Sequence, residues 1–160
     1  MISIRNADGS QDLRTVRELF LEYQAAIGVD LCFQGFAQEL ASLPGSYIRL
    51  LLAEESGVAL GCVALRPRSE TDCEMKRLYV RPAGRGRGVG RLLAARVVDE
   101  ARRAGYRRIV LDTLAAMKQA QALYRSLGFR DIAPYYDNPI PGTSYLALSL
   151  ASSSPATGSR

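Results

Sequence analysis

Apolar residues recur along the chain with two different spacings, which predict its strands and helices. Alternating or continuous apolar runs, typical of strands, occur at residues 2–6, 48–54, 58–66, 73–80, 107–113, 130–133 and 144–150. Apolar positions three and four residues apart, typical of amphipathic helices, occur at residues 13–24, 33–43, 89–104 and 117–127. The predicted order is β-α-α-β-β-β-α-β-α-β-β, an α/β fold (α+β mixed sheet) with helices on both faces.

Glycines mark the ends of the predicted helices. Gly28, Gly105 and Gly128 each follow a helical pattern, where a left-handed residue commonly ends a helix. Residues 151–160 are rich in Ser, Pro and Gly and are predicted to form a flexible tail. We therefore assign a single domain to residues 1–150.

Length and composition fit one globular domain, since the chain has 160 residues of which 48% are hydrophobic. No apolar run approaches the roughly 20 residues that a membrane helix needs. The three cysteines, Cys32, Cys62 and Cys73, form no Cys-x-x-Cys pair. We expect buried free thiols in a reducing cytoplasm rather than a metal site or a disulfide framework.

The sequence contains no histidine, and this restricts its chemistry. A Ser-His-Asp or Cys-His nucleophile is excluded, as is a His-ligated metal. Any acid–base step must use Glu, Asp, Tyr, Lys, Cys or water. The net charge of +5 is compatible with nucleic-acid binding, but many arginines lie in one loop and the helix after it. An acidic phosphorylated cofactor explains the loop arginines more economically.

This loop is rich in glycine and arginine and lies between a predicted strand and a predicted helix. It runs from Gly84 to Gly90, and the helix begins near Val89. Glycines permit positive φ, so backbone N–H groups can turn inward. The helix start adds its own unsatisfied N–H groups and the positive end of its dipole. We therefore predict an anion-binding loop suited to phosphate groups.

The spacing of the loop residues excludes two common nucleotide motifs. The Gly-x-Gly-x-x-Gly dinucleotide pattern lacks its third glycine, and no Gly-Lys-Ser/Thr sequence follows. What remains is Arg85-x-x-Gly88-x-Gly90 after a strand that ends Leu-Tyr-Val. This resembles the acyl-CoA signature of the GNAT superfamily of N-acetyltransferases. The resemblance spans residues 2–150 and is strongest over residues 74–129.

The resemblance implies a binding site for acetyl-CoA. The strand residues Leu78, Tyr79 and Val80 would pair with its pantetheine arm. The pyrophosphate would lie on the loop, at Arg85, Gly86, Arg87, Gly88, Val89, Gly90 and Arg91. Family members often carry Asn seven residues before a later Tyr, where this chain has Met117, although the neighbouring Lys118 could reach a phosphate.

The resemblance also implies two catalytic residues. Tyr124 corresponds to a Tyr near the thioester sulfur, where its hydroxyl can donate a proton to the departing thiolate. A structural Tyr on a helix edge is the alternative. Glu74 corresponds to a Glu that often removes the proton of the amine, directly or through water. The alternative for Glu74 is a surface carboxylate paired with Lys76 or Arg66.

Aromatic and polar residues in two regions are predicted to form the acceptor pocket. In GNAT-like folds both regions can wall the acceptor, and aromatic rings can hold a cationic amine. The predicted pocket residues are Tyr23, Phe33, Gln34, Tyr135, Tyr136 and Asn138. Loop packing or a dimer contact would explain the same residues equally well.

The sequence therefore predicts an acetyl-CoA-dependent N-acetyltransferase. Its acceptor is a primary amine that attacks the thioester directly: a small amine, an amino-acid derivative or a peptide amine. No metal, nucleic acid or membrane partner is expected, and the protein is expected to be a monomer or homodimer. A non-catalytic acyl-CoA-binding domain would share the loop without depending on Tyr124 or Glu74. A nucleic-acid-binding module would leave the glycine-rich loop unexplained.

Overall fold

A computed structural model describes residues 1–150 of the protein. Within this range the strands are β1 (Ser3–Asn6), β2 (Arg49–Glu55), β3 (Val58–Pro67), β4 (Asp72–Val80), β5 (Arg108–Thr113), β6 (Arg130–Asp131) and β7 (Ser144–Ser149). The helices are α1 (Gly9–Ile27), α2 (Phe36–Ser42), α3 (Val89–Arg103) and α4 (Lys118–Ser126). This order confirms the predicted fold. The tail predicted to be flexible, at residues 151–160, lies outside the described residues.

The strands form one sheet in the order β1-β2-β3-β4-β5-β7-β6. Neighbouring strands are antiparallel except β4 and β5, which are parallel. The pairing of β4 with β5 begins at Asp72–Arg108 and ends at Glu74–Val110, although both strands continue. A gap therefore opens in the middle of the sheet, and the unpaired edge of β4 faces it.

Left-handed glycines end or divide the helices on one face of the sheet. Helix α1 ends at Gly28, whose φ of 68° lets its N–H reach the Gln24 carbonyl oxygen. The second predicted helix, at residues 33–43, is shorter than expected. Gly35, with a φ of 69°, separates a 3₁₀ turn at Cys32–Gln34 from α2, because a left-handed residue cannot continue a right-handed helix.

Helices cover both faces of the sheet, as predicted, and each face has its own apolar core. On one face, α3 and α4 pack over a core that includes Leu51, Leu65, Leu93, Val97, Ile109 and Leu111. On the other face, α1 and α2 cover Val16, Leu19, Phe20, Leu50, Leu52 and Ala64. Each fully buried Leu stabilises the fold by about 2 kcal/mol relative to an exposed one. The sheet is thus fixed from both sides around the gap.

A β-bulge in β4 lies beside the gap. Arg77 and Leu78 together oppose the single residue Val63 of β3, and Arg77 has a φ of 61°. A left-handed conformation costs a residue with a Cβ about 1–2 kcal/mol. The Arg77 side chain is buried and pairs with Glu39 of α2 at 2.8 Å. This ion pair ties α2 to the strand at the point where the gap opens.

Candidate active site

An open groove runs beside the end of β4, between the glycine-rich loop and α4. Its volume is about 400 Å³. Met117 and, from α4, Ala120 and Leu123 give it an apolar wall. The predicted acetyl-CoA residues that line it are Leu78, Tyr79, Val80, Arg85, Gly86, Gly88, Val89 and Gly90.

The backbone N–H groups of residues 86–91 make this groove suited to phosphate. Within the described chain none of them donates to a backbone or side-chain acceptor, and the first hydrogen bond of α3 runs from Leu92 N–H to the Gly88 carbonyl oxygen. Gly86 and Gly88 have φ values of 75° and 77°, which only glycine adopts without strain. Consecutive free amides at a helix N-terminus bind anions, so these residues fit the pyrophosphate of acetyl-CoA.

The basic side chains around the loop differ in their access to the groove. Arg85 lines it. Arg87 does not, and it is paired with Glu55 at 2.7 Å. Arg91 and Lys118 also lie outside the groove lining. Of the four basic residues predicted to bind the cofactor, Arg85 therefore faces the groove and the other three do not.

The groove leads into a smaller pocket that lies in the gap between β4 and β5. Residues 75–78 form one wall of this gap pocket and residues 112–114 form the facing wall. The groove and the gap pocket share five lining residues, which are Tyr23, Ile27, Leu78, Leu114 and Met117. A ligand that lies along the groove can therefore place one end in the gap pocket.

Tyr124, the predicted proton donor, lines the gap pocket from α4. Its side chain is buried, and its ring centroid lies 5.8 Å from that of Phe129. Burial, and to a smaller degree Tyr23 and Asp112, raise the pKa of Tyr124. The hydroxyl is therefore protonated at neutral pH and can serve as a proton donor rather than a base.

Glu74, the predicted base, is fully buried and does not line the gap pocket. Both of its carboxylate oxygens are engaged: Arg66 Nε donates to one at 2.8 Å, and the Tyr135 hydroxyl donates to the other at 2.5 Å. The alternative pairing with Arg66 is thus present, although it is not at the surface. Glu74 does not face the amine in the gap pocket. It therefore remains the predicted base only if the amine proton reaches it through intermediate groups.

The carboxylate that does line the gap pocket is Asp112, which was not predicted from the sequence. The Tyr136 hydroxyl and Asn138 Nδ2 both donate to Asp112 Oδ2, the amide at 2.9 Å. Gln34 Nε2 donates to the Tyr136 hydroxyl at 3.0 Å, and Lys76 Nζ donates to Gln34 Oε1 at 3.1 Å. These bonds form a continuous chain across the gap from Lys76 to Asp112, which we call the gap network.

Lys76 is a second pocket residue that was not predicted. Its side chain is buried, and burial lowers the pKa of its ammonium group to about 8. Asp112 carried a signal in the sequence, because it interrupts the apolar run at residues 109–111. Lys76 carried a weaker one, because the sequence suggested it only as an ion-pair partner of Glu74.

Thr113 adds an unsatisfied polar group to the gap pocket. Its hydroxyl is buried and has no hydrogen-bond partner within residues 1–150. A buried hydroxyl without a partner costs about 1–3 kcal/mol. Because the oxygen has less than 1 Å² of exposed surface, a ligand in the pocket would bond to it only after a small movement of the neighbouring side chains.

The structure brings together some of the predicted acceptor residues and not others. Those that line the gap pocket are Tyr23, Phe33, Gln34 and Asn138. Tyr136 joins it only through its hydroxyl, as part of the gap network. Tyr135 lies outside the lining, and its ring centroid is 5.5 Å from those of Tyr136 and Tyr145. For Tyr135 the alternative of loop packing fits this position.

Comparison with known proteins agrees with this geometry. Residues 13–129 match the sequence profile of the acetyltransferase (GNAT) family. An uncharacterized N-acetyltransferase of Schizosaccharomyces pombe is 42% identical over 156 residues, which cover 94% of this chain and 96% of that protein. The yncA protein of Salmonella typhimurium, solved with its cofactor acetyl-CoA, has a TM-score of 0.70 at 26% identity and covers 97% of both chains. A GNAT acetyltransferase from Staphylococcus aureus shares the fold, with a TM-score of 0.77 at 20% identity over 94% of this chain and 99% of its own.

These matches show that the chain belongs to the GNAT family of acetyltransferases, and the fold and the groove agree with this. It is an N-acetyltransferase, and acetyl-CoA is the cosubstrate of this family. The family and the cosubstrate predicted from the sequence are therefore confirmed. Within residues 1–150 no helix has both the length and the apolar character needed to cross a membrane.

Proposed function

We propose that this acetyltransferase moves the acetyl group of acetyl-CoA to a primary amine that binds in the gap pocket. The proposal rests on the continuity of the groove with the gap pocket, since Leu78 and Met117 line both. When bound, acetyl-CoA supplies an acetyl group activated as a thioester. The protein's own groups hold the cosubstrate, orient the amine and transfer protons.

The loop and the free edge of β4 support this placement of the cosubstrate. The amides of residues 86–91 have no acceptor within the described chain and would hold the pyrophosphate. Tyr79 and Val80 pair with β3 on one side and with no strand on the other. Arg85 Nε donates to the Val80 carbonyl oxygen at 3.1 Å, so this bond would open for a pantetheine amide to take its place. Arg85 adds positive charge from the groove itself. Arg87, Arg91 and Lys118 would need to reorient in order to contribute.

Tyr124 is the proposed proton donor. The amine nitrogen forms the amide bond to the acetyl carbon as the C–S bond breaks, and the CoA thiolate takes the Tyr124 proton. A proton from the nitrogen then restores the tyrosine hydroxyl. Because burial raises the pKa of Tyr124, the hydroxyl enters the reaction protonated. General acid catalysis of this kind contributes roughly 10²–10⁴-fold to the rate.

Asp112 is the proposed acceptor of the first amine proton. A primary amine arrives as an ammonium group and must lose a proton before it can attack. Asp112 Oδ2 accepts two hydrogen bonds, whereas no side-chain hydrogen bond within residues 1–150 uses Oδ1. Oδ1 is therefore available to an ammonium group in the gap pocket. Glu74 would take part only through groups that lie between it and the pocket.

Release of thiol from acetyl-CoA tests the proposed reaction. The protein would be supplied with acetyl-CoA and a panel of small amines, amino-acid derivatives and peptides, with free CoA and the acetylated product both measured. Acetyl-CoA should raise the unfolding temperature by mass action, whereas NAD and ATP should not. A protein that acetyl-CoA does not stabilise, or CoA release that no amine stimulates, would contradict the proposal.

A further inference from the structure

Lys76 has an unused capacity to bind an anion in the gap pocket. Its Nζ donates to the neutral Gln34 amide oxygen at 3.1 Å. None of the ion pairs within residues 1–150 includes Lys76. An ammonium group has three N–H donors, so two remain for a ligand.

The neighbouring basic residues do not share this property. Arg66 is neutralised by Glu74 at 2.8 Å, and Arg77 is neutralised by Glu39 at 2.8 Å. Of these three neighbouring cations, Lys76 alone lacks a carboxylate partner in the described part of the chain. Because a buried charge is unfavourable without a counterion, burial lowers the pKa of Lys76 to about 8. An anion bound in the pocket would supply the missing partner.

Asp112 presents the opposite charge on the facing wall of the same pocket. It too belongs to none of the ion pairs within residues 1–150, and its hydrogen bonds come from the neutral Tyr136 and Asn138. Gln34 and Tyr136 stand between Lys76 and Asp112 in the gap network. The pocket thus holds two opposite charges apart, instead of pairing them with each other. These two charges match a ligand that carries both. The pocket measures about 30 Å³ with Gln34 and Tyr136 between the charges, so such a ligand would displace these side chains as it binds.

We infer that the acceptor is an amino acid or a related amine bearing a carboxylate, with its carboxylate on Lys76 and its amino group on Asp112. The inference rests on the proposed function and narrows its acceptor. A simple alkylamine or a carboxamide would leave Lys76 without a counterion. A peptide N-terminus would also place a neutral amide where the carboxylate is expected.

Matched pairs of acceptors test the inference directly. Each amino acid is compared with its carboxamide, which keeps the α-amine and removes the negative charge. We expect kcat/KM for the acid to be at least roughly tenfold higher, as for loss of a hydrogen bond to a charged group. In Lys76→Met, which keeps most of the unbranched side chain and removes its charge, the ratio of acid to amide should fall close to one. Arg107→Met, an exposed cation outside the gap pocket lining, is the control that should keep the ratio.

Equilibrium binding provides a readout that does not depend on turnover. Titration of the CoA complex with an amino acid, followed by calorimetry in buffers of different ionisation heat, should show proton uptake between about pH 8 and 9. A bound carboxylate raises the pKa of Lys76, so the lysine regains a proton on binding. The amino group of the ligand also gains a proton beside Asp112, so the uptake due to Lys76 is the difference between the wild type and Lys76→Met. A purely structural lysine would produce no such difference. Thermal stabilisation of Lys76→Met by acetyl-CoA checks that the variant is folded.

The possible outcomes separate the inference from the proposed function. If amines stimulate CoA release but carboxamides serve as well as acids, the inference is overturned and the proposed function stands. If no amine stimulates CoA release, the proposed function is overturned and the binding experiment decides the inference. Binding that is specific for the acid, takes up a proton and requires Lys76 then supports it. Binding without these properties, or no binding, overturns it.

Discussion

The Tyr135 hydroxyl donates a 2.5 Å hydrogen bond to one oxygen of Glu74, and the other oxygen accepts from Arg66 at 2.8 Å. These bonds close a fully buried carboxylate off from the gap pocket. Its charge still reaches the pocket, because Glu74 is the strongest of the charges that oppose the lowering of the Lys76 pKa by burial. Glu74 can therefore affect activity through Lys76 without touching the amine.

We predict that Glu74→Gln lowers the upper pH limit of activity. Without the Glu74 charge the pKa of Lys76 falls further below about 8, so the lysine loses its proton at a lower pH. The free energy of unfolding should also fall by about 2 kcal/mol, less than for a fully buried pair, since the Arg66 side chain is 32% exposed. The pH profile of kcat/KM and urea denaturation measure the two effects.

The same experiment distinguishes the two roles of Glu74. If Glu74 were the base predicted from the sequence, its loss would shift the pH–rate profile upward, because solvent would have to deprotonate the amine. If Glu74 acts through Lys76, the alkaline limb shifts downward. Glu70→Gln, at an exposed position, is the matched control and should change neither the profile nor the stability.

Tyr124→Phe should reduce turnover by roughly 100-fold, because it removes the proton donor and keeps the ring that packs beside Phe129. The dissociation constant of acetyl-CoA should change little. Stopped-time assays of thiol release and calorimetric titration with acetyl-CoA measure the two quantities. Tyr106→Phe, a half-buried tyrosine outside the gap pocket lining, is the control. If Tyr124→Phe kept the turnover of the wild type, Tyr124 would have a structural role only.

Gly88 and Gly57 offer a matched test of the phosphate-binding loop. Their φ values are 77° and 78°, and a Cβ on either would meet no atom within 4 Å. Alanine should therefore cost about 1–2 kcal/mol at both positions through backbone strain alone. Gly88 lines the groove, whereas Gly57 lies in the β2–β3 turn.

We expect Gly88→Ala to weaken acetyl-CoA binding by roughly tenfold, which corresponds to about 1.4 kcal/mol, because the loop relaxes away from the geometry that aligns its amides. Gly57→Ala should bind acetyl-CoA like the wild type at a similar loss of thermal stability. Calorimetric titration of both variants measures this difference. Equal affinities in the two variants would show that the loop geometry does not hold the cosubstrate.

Thr113→Val should change stability and ligand binding in opposite directions. The Thr113 hydroxyl is buried without a partner, so the nearly isosteric Val should raise the free energy of unfolding by about 1 kcal/mol. If a ligand bonds to that hydroxyl, the same change should raise the acceptor KM severalfold. Thr15→Val, at a half-buried position of α1 outside the gap pocket lining, is the control. A KM that stays constant would show that Thr113 does not contact the acceptor.

Local patterns were sufficient to predict most of the fold and the loop. Helix α3 was expected at residues 89–104 and lies at Val89–Arg103, since its apolar spacing and its preceding glycines are both local signals. The break at Gly35 was missed, because the apolar spacing continues through it and only the left-handed φ interrupts the helix. The glycine-rich loop was located by glycine spacing that needs no tertiary context, and its binding of phosphate stays a prediction.

The polar part of the site depends on contacts that no local pattern contains. Lys76 and Asp112 face one gap only because β4 and β5 pair in parallel and then separate after Glu74–Val110. The burial of Glu74 depends on Tyr135, which reaches it from a loop far along the chain. The sequence could therefore indicate which residue types were available, while the sheet topology decides which of them meet.

The last prediction concerns the pH dependence that Lys76 imposes. Its pKa is about 8 in the folded protein, compared with the ordinary value of 10.5. Between these values the unfolded chain binds more protons than the folded one, so the contribution of this group to stability rises with pH from about 8 to 10.5 and is flat below 8. Lys76→Met should remove that rise from urea-denaturation data.

Ligand binding should weaken as the pH rises above about 8, whereas the contribution of Lys76 to stability increases. The N-acetylated amino acid product has the carboxylate but no titrating amine, so its inhibition constant reports the charge of Lys76 alone. We expect that constant to be level below pH 8 and to rise by about tenfold per pH unit above it, as the ammonium group that holds the carboxylate loses its proton. Lys76→Met should bind the product weakly at every pH. An inhibition constant that stays level to pH 10 in the wild type would mean that the carboxylate is held elsewhere.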